Sequence, residues 1–318
     1  MIEILHGDAL EKIKLLKDKS VDCIVTSPPY WQLRDYGVAG QLGLEDSVEE
    51  YIEKLIEIFN ECWRVLKETG TVFINMGDTY SNVNSKFISG SNNKNYYIDN
   101  QKAKTRRKSD IRRKSKMMIP ERFAIAMIER GWILRNEIIW HKSNVVPEAV
   151  QDRFTNDFEK IYFFTKNKKY FFEKQYEAFA EKTLTAFKDG IMPTGKKKML
   201  GAGESRTGMR EVNKPWKAAY NEKGRNMRTV WKIATKGIPE AHFATFPEEL
   251  VKRCLLSGCP ENGIVLDLFL GSGTTLKVAK KLSRNGIGIE LNQEYIQIAK
   301  KRIGNDLFNE LQVKTDIN

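Results

Sequence analysis

The chain has 318 residues and a net charge of +12, with 53 lysines and arginines against 41 acidic residues, and its 41% hydrophobic content is enough for a sizeable core. Its apolar runs, such as 264–270, fall far short of the roughly 18 residues that cross a bilayer, and the N-terminus MIEILHGDALEK lacks a signal-peptide pattern. Four cysteines (Cys23, Cys62, Cys254, Cys259) without a CxxC pair point to neither a disulfide scaffold nor a zinc site, so we expect a metal-free cytoplasmic protein without membrane association.

In chain order, Ile2–Leu5 reads as a short strand and Val21–Thr26 as a buried strand ended by Ser27-Pro28-Pro29. Glu49–Lys67 is amphipathic, with Ile52, Leu55, Ile56, Phe59 and Trp63 at helical spacing, and Gly70 is expected to stop it. Thr71–Asn75 is the next strand. Pro120 opens a helix up to Gly131, followed by strands at Ile133–Trp140 and Lys160–Thr165. Pro247–Ser257 reads as a helix, Ile264–Leu270 as a strand, Thr274–Leu282 as a helix, Gly286–Glu290 as a strand and Asn292–Ile303 as a closing helix. Strands alternating with helices predict an α/β fold with a mostly parallel sheet. We find no internal repeat and no heptad pattern.

The charge is concentrated. Residues 81–118 carry 11 lysines and arginines against 2 acidic residues, and residues 196–236 carry 12 against 3, which leaves the remainder at −6. Both segments are rich in Gly, Ser, Asn and Lys and read as loops or irregular inserts. Clustered cations of this kind serve either as solvating surface or as a grip on a polyanion. Tyr96, Tyr97, Trp216, Tyr220 and Trp231 lie among the charges, to contact bases or to pack.

In a parallel sheet, ligands sit beyond the carboxyl ends of strands, and two such ends stand out. The first is Asp267-Leu268-Phe269-Leu270-Gly271-Ser272-Gly273-Thr274-Thr275, which follows an apolar strand and opens a helix. Gly271 and Gly273 permit close approach of a ligand to the backbone. Leu276 occupies the place of the third glycine of a dinucleotide fingerprint, and a P-loop Gly-Lys-Ser/Thr is absent. Glu290 ends the next strand, where a carboxylate accepts hydrogen bonds from two ribose hydroxyls. The helix N-terminus favours a carboxylate on the ligand. An adenosine joined to an amino-acid carboxylate without phosphates describes S-adenosylmethionine.

The second end is Thr26-Ser27-Pro28-Pro29-Tyr30-Trp31. Ser27 and Pro28 each precede a proline and are held extended, and neither proline donates an N–H. Their carbonyls, with the Ser27 hydroxyl and the Tyr30 ring, make acceptors beside a flat stacking face. That suits an exocyclic amine on a nucleobase.

These residues resemble a known family. Thr26–Trp31 resembles the amine-binding motif of amino-methylating DNA methyltransferases, and Asp267–Thr275 their S-adenosylmethionine motif. His6–Leu10 resembles the family's Gly-Asp segment at the cofactor site, and His242–Pro247 the segment that contacts the methionine part. Trp140–Lys142 and Arg153–Thr165 resemble its later strand segments. The amine motif precedes the cofactor motif, as in the circularly permuted β group, where the target-recognition region lies between the two.

The resemblance implies an S-adenosylmethionine-dependent methyltransferase sheet. Residues 1–175 would form the amine-binding part, with basic loop 81–118. Residues 176–236 would be the target-recognition insert, and 237–318 the cofactor part of the same catalytic domain. Lys160–Thr165 would supply the antiparallel strand with which the family's sheet ends. The resemblance implies cofactor contacts from Asp8, Ala9, Thr245, Asp267, Phe269, Gly271, Ser272, Gly273, Thr274 and Glu290. It implies catalysis at Ser27, Pro28, Pro29 and Tyr30, with the base flipped out of double-stranded DNA, stacked on Tyr30, and its amine held by the Ser27 hydroxyl and the Pro28 carbonyl. Charge assigns DNA contact to Arg106, Arg107, Arg112, Arg113, Lys196, Lys197, Lys198, Arg206, Arg210, Arg225 and Arg228.

Members with Ser before Pro-Pro-Tyr mostly methylate cytosine N4, and those with Asp or Asn mostly adenine N6, so Ser27 favours cytosine. Carbon-5 chemistry needs Pro-Cys, and Cys259-Pro260 is the reverse order. His6, His141 and His242 read as structural hydrogen-bonders. Adenine-N6 methylation and, further off, RNA or protein N-methylation are the alternatives. A cognate restriction endonuclease is a conceivable partner; the recognition sequence and oligomeric state are not legible.

Overall fold

The computed structural model describes residues 1–35, 37–81, 88–89, 111–145, 148–181, 221–235, 247–304 and 311–314. Nine strands form one sheet: β1 (Ile2–His6), β2 (Val21–Thr26), β3 (Leu66–Met76), β4 (Ile133–His141), β5 (Phe158–Thr165), β6 (Val230–Lys232), β7 (Ile264–Asp267), β8 (Asn285–Glu290) and β9 (Leu311–Lys314). Their order is β6-β4-β5-β3-β2-β7-β8-β1-β9. Only β5 runs against its neighbours, pairing antiparallel with β3 and β4; every other pairing is parallel. The α/β expectation and the antiparallel strand at 160–165 are both met. That strand does not end the sheet, because β4 and β6 lie outside it.

Six helices accompany these strands among the described residues: α1 (Ala9–Lys14), α2 (Val48–Val65), α3 (Ile119–Glu129), α4 (Glu248–Gly258), α5 (Thr274–Lys281) and α6 (Gln293–Ile303). In α2, Ser47 caps the N-terminus by accepting from the Glu50 N–H at 3.1 Å, and Glu49 and Glu50 sit in the first turn, where the helix dipole favours them. Its apolar face buries Tyr51, Ile52, Leu55, Ile56, Phe59 and Cys62. Each such large side chain contributes about 1.5–3 kcal/mol. Phe59 meets Phe123 of α3 edge-on at 5.3 Å.

Gly70 does not stop this helix; α2 ends at Val65 and the chain enters β3 directly. The Lys166 ammonium donates to the Trp63 and Leu66 carbonyls at 3.0 and 3.1 Å, which satisfies the helix end and releases Leu66 to pair with Val21. A register shift between Val21 and Cys23 absorbs the extra residues before Thr71. The Ile264 strand also stops early, at Asp267, so that Leu268–Leu270 belong to the turn.

The contacts divide the chain into two units, one of residues 1–173 with 229–318, and a second of 174–228. The first contains the whole nine-stranded sheet, so the insert expected at 176–236 gives up its last stretch: Thr229 onward belongs with the sheet through β6. Trp231, expected among irregular basic residues, is 6% exposed and paired to Trp140, so it packs. In the second unit, Tyr176–Glu177 pairs with Arg225–Asn226. No described helix is long and apolar enough to cross a membrane.

Candidate active site

Parallel pairing of β2 with both β3 and β7 brings their carboxyl ends to one edge of the sheet. The Ser27 turn and the Gly271 turn leave that edge side by side, although 240 residues separate them. The Thr26 hydroxyl donates to Asp267 Oδ1 at 2.8 Å and ties the two together. A cavity of about 360 Å³ is lined by both turns. Gly7, Asp8 and Ala9 from the end of β1, and Glu290 from the end of β8, face it as well.

On the Gly-rich side, Gly271 and Gly273 have φ of +51° and +84°, the left-handed region that glycine enters without cost. A Cβ on Gly271 would meet nothing closer than the Phe269 carbonyl at 4.0 Å, so the backbone lies open. A Cβ on Gly273 would strike Ala299 Cβ at 2.8 Å, so this second glycine serves the packing of α5 on α6. Glu290 accepts from the Gly271 and Asn292 N–H groups at 2.7 and 2.8 Å. Burial raises its pKa from the usual carboxylate range, against those two hydrogen bonds. Burial likewise lifts Asp267 to about 6, opposed by hydrogen bonds that include those from Thr26 and the Phe269 N–H. Asp8 caps α1 through the Leu10 and Glu11 N–H groups. Phe269, Ser272 and Thr274 line the cavity.

On the Ser-Pro-Pro-Tyr side, the Tyr51 hydroxyl donates to the Pro29 carbonyl at 2.8 Å. Of the carbonyls expected to be open, Pro29's is therefore taken; no hydrogen bond to that of Pro28 occurs among the described residues. The Tyr30 ring lies against Gly77, where a Cβ would come within 2.5 Å of Cε2. The Tyr30 hydroxyl donates to Glu159 Oε2 and accepts from Asn75 Nδ2, both at 2.7 Å, with Ser27 Oγ 3.5 Å away. Burial and the Glu159 charge push the phenol well above its ordinary pKa, so it stays protonated and donates. Glu159 also pairs with the Lys142 ammonium and accepts from Asn75 Nδ2. Asn75 Oδ1 is buried without a protein partner among the described residues.

Asn75, Lys142 and Glu159 all line the cavity and were not among the sequence-derived site residues. So was Arg302 of α6 missed, which holds the Gly-rich turn through the Ser272 carbonyl at 2.6 Å and the Thr274 hydroxyl at 3.2 Å. A signal existed for two of them, since Trp140–Lys142 and Arg153–Thr165 carry the family resemblance without a role attached.

The charge-derived contacts divide. Arg112 and Arg113 are exposed. Arg225 forms an ion pair with Glu177 at 2.8 Å and Arg228 donates to the same carboxylate at 2.6 Å, so part of their charge is balanced within their own unit. Arg106, Arg107, Lys196, Lys197, Lys198, Arg206, Arg210, His242 and Thr245 lie outside the described residues. His6 Nε2 lies 3.2 Å from the Leu291 carbonyl, and His141 lies 3.4 Å from Asp157.

A sequence model described as DNA methylase, of the N6/N4 methyltransferases, matches residues 21–301. The chain belongs to this family. It is thus an amino-methylating, S-adenosylmethionine-dependent DNA methyltransferase of the β group. The methylase is 36% identical to the Type II methyltransferase M.Cfr9I of Citrobacter freundii, over 98% of this chain and 90% of that one. It is 37% identical to the Type II methyltransferase M.SmaI of Serratia marcescens, over 95% and 90%. Its fold is shared with the solved PvuII DNA methyltransferase (cytosine-N4-specific), with a TM-score of 0.61 at 17% identity over 95% and 86% of the two chains.

Proposed function

We propose that the methylase modifies the exocyclic N4 amine of cytosine in double-stranded DNA, with the base flipped into the cavity. The observation that carries this reading is the junction of the Ser27 turn and the Gly271 turn in one cavity, joined through Thr26 and Asp267. Serine at position 27, rather than Asp or Asn, favours cytosine over adenine.

The residues present fit S-adenosylmethionine. The Gly271 backbone faces open space, and the Glu290 carboxylate and the Asp8 segment share the cavity wall. Glu290 would take the ribose hydroxyls, Asp8 and Ala9 the adenine side, and the Phe269–Thr274 turn with Asp267 and Thr245 the remainder. The bound cofactor supplies a methyl already activated on a sulfonium.

An aromatic amine is a weak nucleophile because its lone pair is delocalised into the ring. Ser27 Oγ and the Pro28 carbonyl accept its two hydrogens and draw the nitrogen toward tetrahedral geometry, which localises the pair. Tyr30 gives the ring its stacking face. Positioning then suffices, without a covalent intermediate, and water takes the proton lost from the product. Arg106, Arg107, Arg112 and Arg113 grip phosphates, and unit 174–228 with its basic residues reads the sequence. A cognate restriction endonuclease would cut the same sequence.

The test is to treat unmodified bacterial DNA with the enzyme and S-adenosylmethionine, digest it to nucleosides and identify the product by mass spectrometry. N4-methylcytosine is expected. N6-methyladenine would overturn the base assignment, and no methylated nucleoside would overturn the reading of the cavity.

A further inference from the structure

Phe154 is 96% exposed, whereas the other exposed large apolar residues among those described reach at most 68%. Its exposure does not come from a loose loop. On one side, Asp152 is paired with the Lys114 ammonium. The Arg153 guanidinium binds Glu148 and lies 4.1 Å from the Tyr80 ring centroid. On the other side, Asn156 Oδ1 accepts from the Tyr80 hydroxyl at 3.4 Å, and the Asp157 carbonyl accepts from the Lys142 N–H at 2.7 Å. A phenyl ring is thus held in water by polar braces on both flanks.

The position of the loop gives the ring a use. It leaves β4 at Lys142 and returns through β5 at Glu159, and both of these residues line the cavity. Phe154 stands five residues before Glu159, within about 17 Å of extended chain, yet it is not part of the cavity wall. Exposed Arg112 and Arg113 immediately precede Lys114, which is tied to this loop through Asp152, so cations suited to phosphates belong to the segment joined to it.

From this we infer that Phe154 is a wedge for the DNA duplex. It enters the base stack beside the target nucleotide and supports the opened helix while the base occupies the cavity, an inference that rests on the base-flipping reading above. Apolar side chains inserted between base steps offset the loss of stacking in this way, and a target that is already unpaired needs the support least.

The test uses the full-length enzyme, Phe154→Ala and Phe154→Trp, and a duplex oligonucleotide carrying the site located by sequencing methylated DNA. 2-Aminopurine next to the target base reports unstacking. We expect Phe154→Ala to bind S-adenosylmethionine as the parent does, to lose most of the fluorescence rise, and to transfer methyl at least tenfold more slowly in single turnover. Phe154→Trp should keep both within about threefold. With an abasic site opposite the target, the Phe154→Ala defect should shrink to about twofold. Parent-like fluorescence and rate in Phe154→Ala would overturn the inference, and so would a defect of the same size on both duplexes. A parent enzyme that methylates no DNA would instead strike the underlying reading.

Discussion

Tyr30→Phe separates the ring of Tyr30 from its hydroxyl. From the sequence, the substitution should be mild, because the stacking face stays. In the structure the hydroxyl is committed at both ends, donating to Glu159 and accepting from Asn75 at 2.7 Å. Losing a hydrogen bond to a charged group costs about 1.5–3 kcal/mol. Glu159 keeps Lys142 and Asn75 as partners, so the lower part of that range applies. About 1.5–2 kcal/mol is about a twelve- to thirty-fold loss in the methyl-transfer rate. Tyr30→Ala gives up the stacking face as well, worth about 1–3 kcal/mol per base, and should fall at least a further five-fold. The assay is single-turnover transfer from radiolabelled S-adenosylmethionine to duplex DNA, with cofactor affinity measured by calorimetry and expected to hold in both variants. Glu159→Gln should cost Tyr30→Phe part of its effect in a double-mutant cycle, because the two changes break the same contact. A Tyr30→Phe enzyme at the parent rate would refute the role of the network, and Tyr30→Ala at the parent rate would refute stacking itself.

The two glycines of the cofactor turn should fail differently. Gly271→Val puts branches into open cavity space at φ +51° and should abolish S-adenosylmethionine binding in calorimetry with little loss of melting temperature, whereas Gly273→Ala collides with Ala299 and should lower the melting temperature by several degrees. Asp267 has a carboxyl raised from 3.8 to about 6, so between those pH values the folded chain holds a proton that the unfolded chain has released. Stability therefore falls as pH rises through that window, by roughly 3 kcal/mol for a shift of about two units; Asp267→Asn keeps an acceptor for Thr26 and should flatten the melting temperature between pH 4 and 6, and an unchanged slope would contradict the assignment.

The elements that were legible are those whose local signal and tertiary place agree. Val21–Thr26 is a fully buried strand whose Val, Cys and Ile residues are interrupted only by Asp22, and Ser27-Pro28-Pro29 ends it. Strand β6 was hidden because it is three residues long at the sheet edge, with Val230 and Lys232 exposed and only Trp231 turned inward. Lysine on such an edge also guards it against pairing with another chain, so the charge that reads as a nucleic-acid contact has a structural use there. The end of α2 misled for a tertiary reason: Lys166, a hundred residues away, supplies the cap that local sequence assigns to Gly70.

The same distinction explains which site residues escaped notice. Ser27 and Asp8 follow parallel strands, and Asp267 and Glu290 end them, so the rule that ligands meet the carboxyl ends of strands finds them directly. Glu159 sits at the beginning of its strand, where that rule does not look. Because β5 is reversed, its amino end lies on the same edge as the carboxyl ends of its neighbours, and the register sets Glu159 opposite Trp140. Lys142, two residues further along β4's exit, then reaches its carboxylate. A carboxylate 14% exposed would be costly without that ammonium, so neither residue makes sense alone, and neither stands near the other in the sequence. A reversed strand inside a parallel sheet therefore marks its own first residues as candidates, and here those residues hold the hydroxyl of the tyrosine proposed to face the base.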